Sequence, residues 1–348
     1  MSKMIRKDYA LVGEVNVKND LTADAFEDEV EQKWFSAPVD RKVLKSLIKR
    51  SDETALKDFG LWLGLLLAFG IAAFMAWGTF WAIPLFFIYG VLYSAADHRH
   101  HELSHGTPFK NRKINDMFYH LCAFMTLREG NYYRWSHTRH HTHTIIVGRD
   151  PEIAAPRPPN RLAIYSDFFF ISDGIKLIRM LFRHANGILT EDGKHFVPAT
   201  EVKKVFFAAR VYLFIFAIVL WLCLAMGSIL PALFVGLPRF YGGFFSQLFN
   251  MSQHTGLAED VADHRLNTRT VLMNPVFNFL YANMNYHIEH HMFPMVPYYR
   301  LPELHELIKA ECPPPYPSIW AAWKEIIPAI NRQNQDPGWF IQRPLPTV

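Results

Sequence analysis

Two long apolar blocks set the frame of the chain. Charged side chains are absent from Leu61 to Ala96 and, apart from Arg210 and Arg239, from about Val205 to Asn250, whereas the stretches outside are rich in Lys, Arg, Asp and Glu. At ~1.5 Å per residue the first block would be roughly 54 Å long as one helix, against a hydrocarbon layer of ~30 Å, so it predicts two crossings. Gly78 and Thr79 mark the turn, and Pro84 falls in the first turn of the second helix, where a missing N–H is tolerated. Gly227, Ser228 and Pro231 mark an equivalent turn in the second block. The expected spans are about 61–78, 80–97, 206–226 and 229–250. The charge-free stretch from Val211 to Pro238 is short for two crossings, so Arg210 and Arg239 sit at or inside the boundary. Arg210 can snorkel to the surface, and Arg239 requires an interior ion pair or a polar group of a substrate.

The pattern therefore predicts an all-α integral membrane protein, with four transmembrane helices in two hairpins and a cytosolic helical cap. Residues 1–60 read as a cytosolic segment with short helices near Ala25–Trp34 and Val43–Ile48, and no apolar run opens the chain as a cleaved leader would. Residues 61–310 form the membrane domain and 311–348 a cytosolic tail. Apolar stretches at Met117–Leu127, Leu162–Leu189 and 271–284 are too short or too mixed to cross and are expected at the interface. His120 is expected in the core or at that interface, and His305 in solvent.

Charge fixes the orientation. Both hairpin loops are uncharged, while the amino terminus, residues 97–204 and the tail carry the Lys and Arg, so both termini face the cytoplasm, as in a bacterial inner membrane. The net charge of +4 over 348 residues forms no basic stripe, so no nucleic-acid partner is expected. Cys122, Cys223 and Cys312 are too scattered for a disulfide framework or a thiolate metal site.

The candidate chemistry lies just outside the apolar blocks. His137, His140 and His141 stand at i, i+3 and i+4, as do His287, His290 and His291, and His101 and His105 form an i, i+4 pair. A helix puts each set on one face. Together these imidazoles exceed the three or four protein ligands of one zinc site and call for two metal ions. Imidazole suits iron, copper, zinc and nickel alike, so the spacing does not choose the element. His254, leaving the fourth span, adds a ninth ring, with Asn250 one turn earlier on the same face. Asp150 and Glu152 are placed to orient imidazoles through their free N–H groups. His98 and His264 are candidates for the same outer role. His101-Glu102-Leu103-Ser104-His105 also fits the zinc-protease pattern H-E-x-x-H, but that chemistry would leave the other clusters unused. A metal carrier is the remaining non-enzymatic reading, although transport sites lie near the bilayer midplane and these histidines do not.

These residues resemble the membrane fatty-acid desaturase and hydroxylase superfamily. Its three histidine boxes match His101/His105, His137/His140/His141 and His287/His290/His291 in order, with an apolar hairpin before the first box, another between the second and third, and Asp150-Pro151-Glu152 after the second. The resemblance spans roughly residues 60–310. It implies a cytosol-facing di-iron centre with His254 as an extra ligand and Asn250 approaching one iron through water. It further implies a lipid or other apolar substrate, O2 and a separate electron donor of the ferredoxin, rubredoxin or cytochrome b5 type. The expected activity is acyl-lipid desaturation, the alternative being hydroxylation of an alkyl, terpenoid or small amino compound.

Overall fold

The computed structural model describes residues 9–11 and 33–346, and the helix expected near Ala25 lies outside them. Helix α1 (Arg41–Leu47) opens on Asp40, whose carboxylate accepts the N–H groups of Lys42 and Val43. Helix α2 (Asp52–Met75) opens on Ser51, which accepts from Thr54 N–H. The chain then turns through Gly78 (φ +86°) into α3 (Ala82–Ser94), and a break at Ala95 leads into α4 (Ala96–Ser104). Helices α5 (Arg112–Met125) and α6 (Gly130–Thr142) follow, then α7 (Arg161–Ser166), α8 (Ile171–Ala185) and α9 (Glu191–Phe196). Helix α10 (Val202–Met226) ends on Gly227 (φ +57°). The return limb is α11 (Leu230–Phe234), α12 (Pro238–Gly242) and α13 (Phe244–His254). Four short helices, α14 (His264–Asn267), α15 (Pro275–Leu280), α16 (His287–Met292) and α17 (Leu301–Ile308), precede α18 (Ile319–Gln335). Among the described residues there is no β-strand, only two isolated bridges.

Two helices, α2 and α10, are long and apolar enough to cross a membrane, and only 22% and 17% of their apolar windows are buried by protein. The core helix of a soluble protein would be mostly covered. Here Leu67, Phe74, Phe214 and Leu224 point outward, each more than half exposed.

The return limbs differ from the expected continuous spans. Helix α3 is shorter than 80–97, and the fourth span is interrupted at residues 235–237 and at Gly243. Pro238 supplies no N–H to the preceding turn, and α12 presses directly on α3. A Cβ at Gly242 would lie 1.9 Å from the carbonyl carbon of Gly90, so the two backbones touch where only glycine fits.

The histidine-bearing α4 is held from several sides. Trp62 Nε1 donates to the carbonyl of Leu92 (2.8 Å), joining α2 to α3. Arg99 is fully buried with its guanidinium 4.9 Å from the ring centres of both Trp62 and Phe279, and it donates to Asp58 (3.3 Å) and to the Phe279 carbonyl (3.2 Å). Tyr298 donates to the same Asp58 (2.8 Å). Arg239 meets an interior ion pair: it donates to Asp97 at the head of α4 (3.2 Å) and to the Ser94 carbonyl (3.3 Å). His120 is exposed on α5.

Candidate metal centre

Four helices deliver nine imidazoles to one place. His101 and His105 come from the end of α4, His137, His140 and His141 from α6, His254 from the last residue of α13, and His287, His290 and His291 from α16. They divide into two groups. In the first, ligand atoms of His101, His105, His137, His141 and His290 lie within 4.8 Å of one another; in the second, His140, His254 and His291 do so. His287 joins the second group, since its Nε2 is 3.1 Å from the Nε2 atoms of both His254 and His291.

The outer nitrogens decide what these rings can do. His137 Nδ1 faces Glu152 (2.9 Å), His140 Nδ1 faces Asp150 (2.8 Å), and His254 Nδ1 faces the Asn267 carbonyl (2.8 Å). Each partner can only accept, so each Nδ1 carries the proton and the neutral ring turns a lone pair inward at Nε2. Thr144 donates to the His140 carbonyl, leaving its oxygen to accept from His291 Nδ1 (3.2 Å). Asp150 is itself fixed by the N–H groups of Ile145 and Glu152, both at 2.7 Å, and Glu152 by Ser136 (2.7 Å).

Burial keeps most of these rings neutral. It pushes His101 down to about 3 and holds His105, His137, His141, His254, His287, His290 and His291 well below the ordinary histidine range. His140 differs: burial lowers it too, but the charge and hydrogen bond of Asp150 outweigh burial and raise it.

The inward nitrogens fit a cation. Nε2 atoms stand 3.1 Å apart in the pairs His105/His137, His137/His141 and His141/His290, besides the two pairs made by His287. Two nitrogens each ~2.1 Å from one ion and at a right angle to it would be about 3.0 Å apart. Facing lone pairs at that separation repel unless a positive charge lies between them. Glu102 supports the same conclusion. It is 1% exposed, with one oxygen 3.3 Å from Nδ1 of both His101 and His290, and burial lifts its carboxyl to about 8. Such a group needs a positive neighbour to remain a carboxylate.

The remaining sequence candidates fall around this core. Asn250 donates to Asp97 (3.1 Å) and lines the adjoining cavity, as does His98, whose Nε2 is buried without a partner. His264 is buried, stacked 4.3 Å from Trp34 and with its ring centre 5.1 Å from that of His291. His305 is a correction: it is buried against Glu289, whose other oxygen accepts from Thr270 (2.6 Å), because α17 closes over α16 and gives the ring a partner there. Glu102, the Asn267 carbonyl and Thr144 escaped the sequence reading. Glu102 stood in view inside H-E-x-x-H, but only as part of a protease pattern.

The Fatty acid desaturase family profile matches residues 88–323, which hold all nine histidines. The chain belongs to the fatty acid desaturase family. That family is iron-dependent, and these clusters are suited to bind metal. Among curated proteins the chain is similar to the omega-3 fatty acid desaturase of the endoplasmic reticulum of Nicotiana tabacum, with 22% identity over 258 residues, covering 68% of this chain and 66% of that one. It is also similar to the temperature-sensitive sn-2 acyl-lipid omega-3 desaturase (ferredoxin) of Arabidopsis thaliana chloroplasts, at 23% identity, 70% of this chain and 60% of that one. The chloroplastic omega-3 fatty acid desaturase of Glycine max is 24% identical, over 69% and 57% of the two chains. The chain thus spans roughly three fifths to two thirds of the length of these relatives.

Proposed function

We propose that this desaturase-family chain is an O2-dependent di-iron oxidoreductase of the membrane that removes hydrogen from an unactivated C–H bond, with acyl-lipid desaturation as its activity. The observation that carries this reading is the pair of neutral imidazole groups with inward Nε2 atoms 3.1 Å apart. His101, His105, His137, His141 and His290 would hold one iron, and His140, His254, His287 and His291 the other. Bound there, iron supplies the one-electron redox chemistry toward O2 that zinc lacks. Asp150 and Glu152 fix the orientations of His140 and His137, and Glu102 beside His101 and His290 adds negative charge that offsets the positive charge. Burial keeps the nitrogens of the rings other than His140 from being protonated. In desaturation, O2 is reduced to two waters by two hydrogen atoms from the substrate, two electrons from a donor and two protons from solvent. The donor is a separate small protein of the ferredoxin, rubredoxin or cytochrome b5 type, a reading supported by the word ferredoxin in the name of the Arabidopsis relative.

The apolar hairpins, α2 with α3 and α10 with α11–α13, read as four spans with both termini and the histidines on the cytoplasmic side. Expression in cells lacking other desaturases tests the function: wild type should yield a product two hydrogens lighter than its substrate, and His287→Ala none. A product heavier by one oxygen would instead establish hydroxylation, in which one oxygen atom enters the C–H bond and the other leaves as water. Iron absent from the purified protein would refute both.

A further inference from the structure

Cationic side chains gather at one spot beside the first histidine group. Lys110, Arg112 and Lys113 are exposed where α5 opens, and the half-buried Arg50 stands just before α2. Two ties hold these segments together. Asp52 accepts the N–H of Asn111 (2.9 Å), and the Tyr299 hydroxyl accepts the N–H of Ser51 (2.7 Å) while donating to the Pro108 carbonyl (3.2 Å). The fold gains nothing from the clustering. Among the described residues no carboxylate forms an ion pair with any of the four cations, and the neighbouring Glu53 is taken up by Lys57 (2.6 Å). Arg112 and Lys113 occupy the first turn of α5, which holds no acidic residue, and that is the helix end where the dipole disfavours positive charge. Burial, and then the charge of Arg112, lower Arg50 from the ordinary arginine range. Charges held together at a cost to the fold point to a partner of opposite sign.

Arg112 joins this patch to the metal centre. Its guanidinium fills the space that Gly106 leaves open: a Cβ at Gly106 would collide with Nη1, and the positive φ of +64° there also favours glycine. Gly106 directly follows His105. In the first group His101, His137 and His290 are buried, whereas His105 and His141 are only partly covered. The surface at Arg112 therefore lies a short way through protein from a ring of that group. Electron tunnelling falls off steeply with distance, so a redox partner seated here would be close to its target.

We propose that Arg50, Lys110 and Arg112 form the docking surface for an acidic protein electron carrier, with Lys113 at its rim. The inference rests on the oxidoreductase reading above and names the partner's charge and its seat. The carrier is oxidised by one electron, which passes to the metal held by the His105 group, and no bond forms or breaks. Anionic lipid headgroups are the competing occupant, since Lys113 shares a face of α5 with the exposed Met117 and Leu121. Headgroups would meet basic residues anywhere along the interface, however, and give no reason for Arg112 to sit against the residue that follows a metal ligand.

The test uses full-length, iron-loaded protein in phosphatidylcholine nanodiscs, with an acidic plant-type ferredoxin as the probe. Biolayer interferometry gives its association rate, and anaerobic stopped-flow absorbance gives the rate at which reduced ferredoxin is oxidised. Association with wild type should slow about tenfold or more from low to physiological salt, as expected of an electrostatically steered encounter. Lys110→Glu and Arg112→Glu should each slow association about tenfold at low salt and flatten its salt dependence. Iron content, and reduction of the protein by photoreduced deazaflavin, which needs no docking, should not change. Both substitutions put a carboxylate near the start of α5 and should not lower the melting temperature, and Lys110→Glu, altering only an exposed side chain, keeps the test open should Arg112→Glu misfold. Association that ignores salt, or both variants binding ferredoxin at the wild-type rate, would overturn the inference. Variants that keep ferredoxin binding but lose affinity for phosphatidylglycerol vesicles would overturn it in favour of headgroups. Deazaflavin-reduced protein that takes up no O2 with any lipid would instead count against the oxidoreductase reading, since docking is scored separately.

Discussion

Asp150→Asn isolates the role of the carboxylates behind the rings. Asp150 is 3% exposed, and its two oxygens accept three hydrogen bonds: from His140 Nδ1 (2.8 Å), Ile145 N–H (2.7 Å) and Glu152 N–H (2.7 Å). Asparagine is nearly isosteric but keeps one acceptor. If its oxygen stays with His140 and Ile145, its NH2 faces the Glu152 N–H, and that donor is stranded at a cost of about 1–3 kcal/mol. The negative charge that raises the His140 basicity is lost as well. Removing such a partner lowers metal affinity about 10–100-fold, or about 1.4–2.7 kcal/mol. The loss should fall on one ion, because His140 belongs to the group with His254, His287 and His291. Iron per chain, measured after dialysis against a graded chelator series, should therefore drop from two to one over a window where wild type retains both. Glu152→Gln should show the same step through His137, in the other group. Chelator curves for Asp150→Asn that overlay wild type would refute the claim that this hydrogen bond positions His140.

Further outcomes follow from the same geometry. Glu129 and His184 form a fully buried pair at 2.6 Å that ties the start of α6 to α8, so Glu129→Ala should destabilise the protein by about 3–5 kcal/mol, read as a lower melting temperature in detergent. Gly242→Ala drives a methyl group into the Gly90 backbone and should cost about 1–3 kcal/mol or more, whereas Gly60→Ala, which meets nothing, should be neutral; thermal melts of the pair decide. Acidification should weaken the metal-free protein. His101 and His264 sit at about 3 in the fold because of burial, against 6.5 when unfolded, so the unfolded chain binds more protons between those values and stability falls as pH drops through that window. Melting temperatures of the metal-free protein that stay flat from pH 7 to pH 5 would contradict this.

Much of the centre was legible from spacing alone. His137, His140 and His141, like His287, His290 and His291, must share a face once their segment is helical, since 3.6 residues per turn leaves no other outcome. The apolar blocks likewise announced α2 and α10, because length and absence of charge are properties of the chain itself. Asp150 and Glu152 were visible as nearby carboxylates, but only folding paired Asp150 with His140 and Glu152 with His137.

What the sequence could not carry was contact between distant segments. The meeting of Gly90 with Gly242, the ion pair of Arg239 with Asp97, and the approach of Glu102 to both His101 and His290 each join elements far apart along the chain. Helical periodicity reaches only a few residues, and it has no term for what faces a helix from across the core. The same holds for the division of nine histidines into groups of five and four, and for His305. Its burial follows from α17 closing over α16, an event of packing that no local pattern around residue 305 encodes.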